Sequence, residues 1–178
     1  LHLSSHRFIN KEECNIYKPS RLVNIHTQVK KDLPQYSIRS VVKADYEYYH
    51  YKQDNENDSG WGCAYRSLQT LFSWYIMNGF TGQEIPSITT IQKTLVKAGD
   101  KDSKIIGSSQ WIGAFELSIV LNELLGIESM IKFVTSREEL PSLGRELIYH
   151  FETLGTPIMI GGGDYAYTIL GVEYDRVK

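Results

Sequence analysis

Asp58-Ser59-Gly60-Trp61-Gly62-Cys63-Ala64-Tyr65-Arg66-Ser67 is the stretch on which the reading of this chain turns. Two glycines lead into a cysteine, and apolar side chains then recur at helical spacing through Ala64, Leu68, Leu71, Phe72 and Tyr75 until Gly79, where a helix can stop. The pattern predicts a helix over residues 63–78 with Cys63 in its first turn and Asp58 or Ser59 close to its start. Free backbone N–H groups and the positive end of the helix dipole would face the sulfur there, which suits an anionic nucleophile. The glycines remove side chains around it, so a carbonyl carbon can approach and the Cys63 N–H can donate to the oxyanion that develops. A cysteine that merely fills space in the core is the plainer alternative, and its place at a helix start behind two glycines argues against it.

Outward from this block, residues 38–51 are rich in Val, Tyr and Ile and predict a strand ending at Tyr51. Residues 52–59 are polar and acidic and read as a surface loop. Residues 1–38, with Pro19 and Pro34, lack sustained periodicity and read as an irregular lead-in to a domain over 39–178. Downstream, helices are expected over 87–98, with Ser87 as cap and Gly99 as terminator, and over 111–125. Residues 129–135 alternate like a half-buried strand, and Ser136 with Glu139 has capping-box spacing before a helix over 142–154. Two β-rich runs close the chain, 156–160 leading into Gly161-Gly162-Gly163, and 166–174. Helices before strands, with the nucleophile at a helix N-terminus, give an α/β (α+β) fold in which that helix packs on an antiparallel sheet including 166–174.

Composition narrows the function. A chain of 178 residues, 42% hydrophobic and 22% charged with formal charge −2, supports one packed domain and argues against a nucleic-acid surface or a basic membrane patch. The longest apolar stretch, 112–125, is broken by Glu116, Ser118, Asn122 and Glu123, so no direct membrane span is expected. Cys14 and Cys63 are too few for a disulfide framework or a zinc site, so neither metal nor cofactor is called for and a reducing compartment fits. The start at Leu1 and the end in a strand-like pattern read as a fragment cut at both ends.

The block from Asp58 to Leu71 resembles the nucleophile motif of the ubiquitin-fold-modifier-specific cysteine proteases, closest to the longer members. Tyr49-His50-Tyr51-Lys52-Gln53-Asp54 before it, Gln110-Trp111-Ile112-Gly113 after it, and Gly155 to Gly163 near the end agree in order and spacing. The resemblance implies a papain-like fold and a thiol hydrolase that matures the modifier precursor and releases the modifier from its conjugates. It implies Cys63 as nucleophile and Tyr51 as an oxyanion donor; by itself Tyr51 would be one tyrosine among Tyr46, Tyr48 and Tyr49. As partners it implies the modifier and its conjugates, with a membrane adaptor protein at the cytosolic face of the endoplasmic reticulum. Trp61, Trp111, Gly161, Gly162 and Gly163 are candidates for a groove admitting the modifier's narrow Gly-containing tail, although Trp111 and Trp74 serve equally well as core anchors.

Two departures stand beside the resemblance. The family's triad Asp and His sit in an Asp-Pro-His segment that residues 1–178 do not contain, and the family's spacing puts it just past Lys178, so truncation is the expected cause and the chain alone is expected to be inactive. Tyr167 stands where the longer members have a His that is not their general base. Among the chain's own histidines, His50 is expected to point away from Tyr51 on a strand, His150 to lie on a polar helix face, and His2, His6 and His26 to lie in the lead-in. Asp164 and Asp175 read as loop and strand-end carboxylates. The alternatives are a modifier-binding module that does not cut, and an autophagin-like protease, whose family shares a Gly-Trp-Gly-Cys block; the Ala64-Tyr65-Arg66-Ser67-Leu68 continuation favours the first family.

Overall fold

The computed structural model describes residues 21–29, 37–136 and 139–175. Its central element is the expected helix, α1 (Cys63–Met77), in which every residue from Ala64 to Trp74 is buried, polar ones included. A helix buried on all sides must satisfy those polar groups internally. Here they catch the chain that precedes it: Ser73 Oγ accepts the Glu47 N–H at 3.0 Å, Thr70 Oγ1 accepts the Tyr49 N–H at 3.1 Å, and the Trp74 indole N–H donates to Lys43 O at 2.6 Å.

Those bonds explain a correction. The strand expected over 38–51 is regular only as β1 (Ser37–Val41). Past it the backbone turns at Ala44, φ 62°, and the Glu47 and Tyr49 N–H groups go to α1 side chains instead of a sheet partner. Residues 21–29, within the expected lead-in, lie alongside this irregular stretch: Val23 bridges Glu47, and the Tyr48 N–H donates to Leu22 O at 2.8 Å.

Two further helices build the main core with α1. In α2 (Ile88–Lys97) the Ser87 hydroxyl accepts the Thr90 N–H, the cap the sequence predicts. α3 (Ala114–Leu125) starts three residues later than expected, because the Glu116 carboxylate takes the Gly113 N–H at 2.8 Å and holds Gly113 extended. Leu68, Phe72, Ile91, Leu95 and Val120 are fully buried among these helices, each burial contributing about 1.5–3 kcal/mol.

α4 (Leu140–Thr153) begins two residues earlier than expected. The Ser136 and Glu139 side chains do not form the expected capping box; the Glu139 carboxylate accepts the Thr135 hydroxyl at 2.5 Å and the Thr135 N–H at 3.3 Å. Nor do residues 129–135 form a strand: Met130 and Phe133 are 83% and 82% exposed. Alternation alone does not make a strand, which needs a neighbour to pair with.

The strands form two antiparallel pairs. β2 (Ile158–Gly162) and β3 (Tyr165–Ile169) make a hairpin whose turn uses left-handed backbone at Gly163, φ 57°. β4 (Gly171–Asp175) pairs instead with β1, Val41 opposite Gly171. The run expected as one strand over 166–174 therefore splits at Leu170, whose carbonyl accepts the Val42 N–H at 2.8 Å. A Cβ at Gly171 would lie 2.8 Å from Val41 Cγ1 and 3.0 Å from Ser40 O, so glycine is what lets β1 come this close. β2 and β3 pack on α1, while β1 and β4 pack on α4.

Candidate active site

Cys63 is the first residue of α1 and is partly exposed. What fixes it there is the turn before it. The Gly62 N–H donates to Asp58 O at 2.8 Å, and the Arg66 N–H opens the helix by donating to Gly62 O at 3.0 Å. Gly62 has ordinary helical backbone, φ −80°, so its need for glycine is steric: a Cβ would fall 2.3 Å from Asp58 Oδ2.

Asp58 is wholly buried, so the stretch read as a surface loop turns inward at its end. One carboxylate oxygen accepts the Lys52 N–H at 2.6 Å and the other accepts Arg66 Nε at 2.7 Å. Burial pulls this carboxyl up, but the Arg66 and Lys52 bonds outweigh it and hold Asp58 below the usual carboxylate range. Arg66, itself buried, also donates to Asp54 Oδ2 at 2.9 Å, to Gln69 Oε1 at 3.1 Å and to Gln53 O at 3.0 Å. The functional block thus carries its own scaffold, which the sequence reading did not single out. An arginine one helical turn after Cys63, amid apolar positions and following several acidic residues, was the available signal.

The Tyr51 phenol lies within interaction range of the Cys63 thiol. Burial first, then hydrogen bonding and charge interaction with Cys63, with smaller contributions from Asp58 and Tyr167, push Tyr51 up to about 12. The phenol keeps its proton at neutral pH and remains a donor.

Cys63 opens onto a cleft of about 310 Å3. Trp61 and Trp111 stand on its walls, and Gly161, Gly162 and Gly163 line it, so the structure brings the five candidate groove residues together with Cys63. The two other readings of tryptophan separate: Trp74 is a core anchor, 5% exposed, and Trp111 is 50% exposed at the cleft. Trp61 is held edge-on to the Tyr65 ring, and the Tyr65 hydroxyl donates to Gln110 O at 2.8 Å, which fixes the segment leading to Trp111. Met159, Tyr165 and Asp164 also line the cleft. Asp164 was read as an ordinary loop carboxylate; the β2–β3 hairpin brings it to the cleft, a placement no local pattern announces.

Each described histidine ring has a partner other than Cys63. His26 stacks on Tyr46, and His150 Nε2 bonds Thr156 O at 2.9 Å. His50 does not follow strand alternation, because no strand runs through it; its ring lies edge-on to Tyr51 and bonds Tyr51 O at 3.2 Å. Tyr167 is exposed on β3 and stacks on Tyr165, while its neighbour Thr168 shares a 2.8 Å hydroxyl contact with Ser67 of α1. His2, His6 and Cys14 lie outside the described residues.

A sequence model of peptidase family C78 matches residues 37–178. The probable Ufm1-specific protease of Oryza sativa subsp. japonica is 51% identical over 157 residues, covering 88% of this chain and 24% of that protein. Ufm1-specific protease 2 of Mus musculus is 48% identical over 161 residues, covering 90% of this chain and 35% of that protein. Among solved structures, UfSP from C. elegans superposes with a TM-score of 0.78 at 42% identity, covering 99% of this chain and 30% of that one, so the papain-like fold is shared. The chain spans about a quarter to a third of the length of these relatives. With the family model covering most of the sequence and relatives near half identity across it, this chain belongs to peptidase family C78.

Proposed function

We propose that the protein carrying this chain is a cysteine protease that matures the precursor of the ubiquitin-fold modifier and releases the modifier from its conjugates. The observation that carries the reading is the convergence of Cys63, Tyr51 and a glycine-lined cleft at one helix N-terminus, in a chain whose relatives are Ufm1-specific proteases. Cys63 Sγ attacks the carbonyl carbon of the modifier's terminal glycine, and a carbon–sulfur bond forms. The tetrahedral oxyanion is held by the Cys63 N–H and the Tyr51 hydroxyl. Its collapse breaks the carbon–nitrogen bond, the leaving amine takes a proton, and water then hydrolyses the thioester to release the modifier's carboxylate.

The cleft suits a tail that ends in glycine: the Trp61 and Trp111 rings wall the passage and Gly161–Gly163 leave room beside it. Residues 39–178 are read as a catalytic domain lacking its triad Asp and His; the family's Asp-Pro-His segment, which residues 1–178 do not contain, would complete it. No helix among the described residues is long and apolar enough to cross a membrane. Action in the cytosol, brought to the endoplasmic reticulum by a membrane adaptor protein, is the corresponding reading of its location.

The test is cleavage of a modifier precursor followed by mass spectrometry. The full-length protein should release the tail after the terminal glycine, Cys63→Ser should abolish release, and residues 1–178 alone should bind without cutting. Release by the Cys63→Ser protein would overturn the proposal; binding without cleavage by the full-length protein would establish the non-cutting module instead.

A further inference from the structure

Tyr51 sits on backbone that does not hold itself. It is followed by Lys52, Asp54 and Asn55 at φ 60°, 63° and 58°, a left-handed region that side-chain-bearing residues rarely adopt. Among the described residues no ladder supports this segment, yet the N–H groups of the residues before and after Tyr51 are tied down. Behind it the His50 N–H donates to Gln53 Oε1 at 2.9 Å, and ahead of it the Lys52 N–H donates to Asp58 Oδ1 at 2.6 Å.

Both acceptors are themselves held by arginines. Arg66 binds Asp58 through Nε at 2.7 Å and takes the Gln53 carbonyl through Nη2 at 3.0 Å. Arg21 binds the Gln53 side chain through Nε at 3.3 Å. The two guanidinium groups then share Asp54, Arg66 on Oδ2 and Arg21 on Oδ1. Arg21 is steadied in turn by the Tyr49 ring, 4.1 Å below its central carbon, and by the buried Glu47 carboxylate at 3.9 Å. Planar forks that meet carboxylates and amides at fixed angles fix position as well as charge.

We propose that Arg21 and Arg66 are positioning residues, a two-arginine clamp that acts through Asp54, Gln53 and Asp58 to keep the Tyr51 hydroxyl beside Cys63. The clamp rests on the reading of Tyr51 as oxyanion donor. Arg66 belongs to the nucleophile block, whereas Arg21 lies upstream of residues 37–178 that the family model matches. The segment before the family domain thereby contributes to the geometry of the site. Releasing the Arg21 arm alone leaves the Arg66–Asp58 joint, the cleft and Cys63 in place and lets the phenol swing away, so turnover falls while substrate capture does not.

Arg66 is buried, and its replacement would unsettle the fold, so the test uses Arg21, which is partly exposed. In the full-length protein, Arg21→Gln should lower kcat for precursor cleavage by about 5–10-fold with KM changed less than about twofold. Asp54→Asn should cost less in the Arg21→Gln background than on its own, because part of its effect runs through the Arg21 bond. Arg21→Lys, which keeps the charge and loses the fork, should recover only part of the rate. Lys132→Gln, which breaks an exposed pair with Glu146, should change nothing. A second readout needs no activity: in residues 1–178 labelled with 13Cζ-tyrosine, the Tyr51 signal, identified by its loss in Tyr51→Phe, should titrate near 12 and move down toward 10 in Arg21→Gln. Loss of a nearby cation acting through charge alone would move it the other way. An unchanged Tyr51 midpoint in Arg21→Gln overturns the clamp even if kcat falls. A shifted midpoint supports it even if the full-length protein cuts no precursor and the protease reading fails.

Discussion

Gly62→Ala isolates the packing that places Cys63. Its backbone, φ −80° and ψ −2°, accepts alanine without strain, so the perturbation is the added methyl alone. That carbon would lie 2.3 Å from Asp58 Oδ2, 2.6 Å from Asp58 Cβ and 2.7 Å from Asp58 Cγ. Asp58 cannot yield freely, because Lys52 N and Arg66 Nε hold its two oxygens at 2.6 and 2.7 Å. A retreat of about 1 Å would relieve the clash and stretch both bonds beyond the hydrogen-bonding range. Overpacking of this kind costs about 1–3 kcal/mol, and weakening bonds to a buried charge about 1.5–3 kcal/mol. The stiffer unfolded chain returns about 0.4–1 kcal/mol. A net loss of about 2–4 kcal/mol corresponds to a fall in Tm of roughly 5–15 °C for a domain of this size. Thermal unfolding followed by circular dichroism reads the stability, and iodoacetamide labelling of Cys63 reads the displaced helix start. A fall of less than about 2 °C with unaltered labelling would refute the claim that Asp58 occupies the space at Gly62 and positions the nucleophile.

Tyr51→Phe in the full-length protein should lower kcat by about 10²-fold, the scale of one lost oxyanion donor, with KM nearly unchanged; equal turnover would make Tyr51 a packing residue. Acid should destabilise the fold through Asp58 and Glu116. Burial raises both carboxyls, but the ion pairs and backbone N–H groups win, Arg66 and Lys52 N–H at Asp58 and Lys101 and Gly113 N–H at Glu116, so both are lowered in the folded state. Their contribution is whole above about pH 5 and is lost as pH falls through the unfolded and then the lowered folded values. Urea midpoints measured from pH 6 to pH 2 should show that decline, and Asp58→Asn should flatten part of it; an identical slope in the variant would contradict the assignment. Trp111→Ala, at a half-exposed side chain, should shift stability by less than about 1 kcal/mol yet raise KM for the precursor by about tenfold, as read by steady-state kinetics and thermal unfolding.

The helix at Cys63 and the cap at Ser87 were legible in the sequence because each follows from local pattern: helical spacing and a capping hydroxyl. Misread elements depend on distant partners. The strand expected over 38–51 stops at Val41: the chain turns at Ala44, and Ser73 and Thr70 of α1 then take the Glu47 and Tyr49 N–H groups. The run over 166–174 splits because β1 comes in at Gly171, where only glycine leaves space. Residues 129–135 show how far alternation misleads when no neighbouring strand is described for them to pair with. At the site, Cys63 and Tyr51 were named through the motif, while the Arg66–Asp58 joint passed unnoticed because acidic residues ahead of a helix read by default as a solvated loop. Burying that carboxylate is a tertiary event, set by the one arginine that turns inward from α1.

The central claim, that Cys63 is the nucleophile of a protease for the ubiquitin-fold modifier, is tested most directly by trapping. The full-length protein is treated with the modifier carrying a thiol-reactive electrophile in place of its terminal glycine carboxylate, then digested and mapped by mass spectrometry. The account predicts a single adduct on the peptide that contains Cys63, lost in Cys63→Ser and weakened in Tyr51→Phe. An adduct on Cys14, or none on Cys63 in protein that binds the modifier, would contradict it.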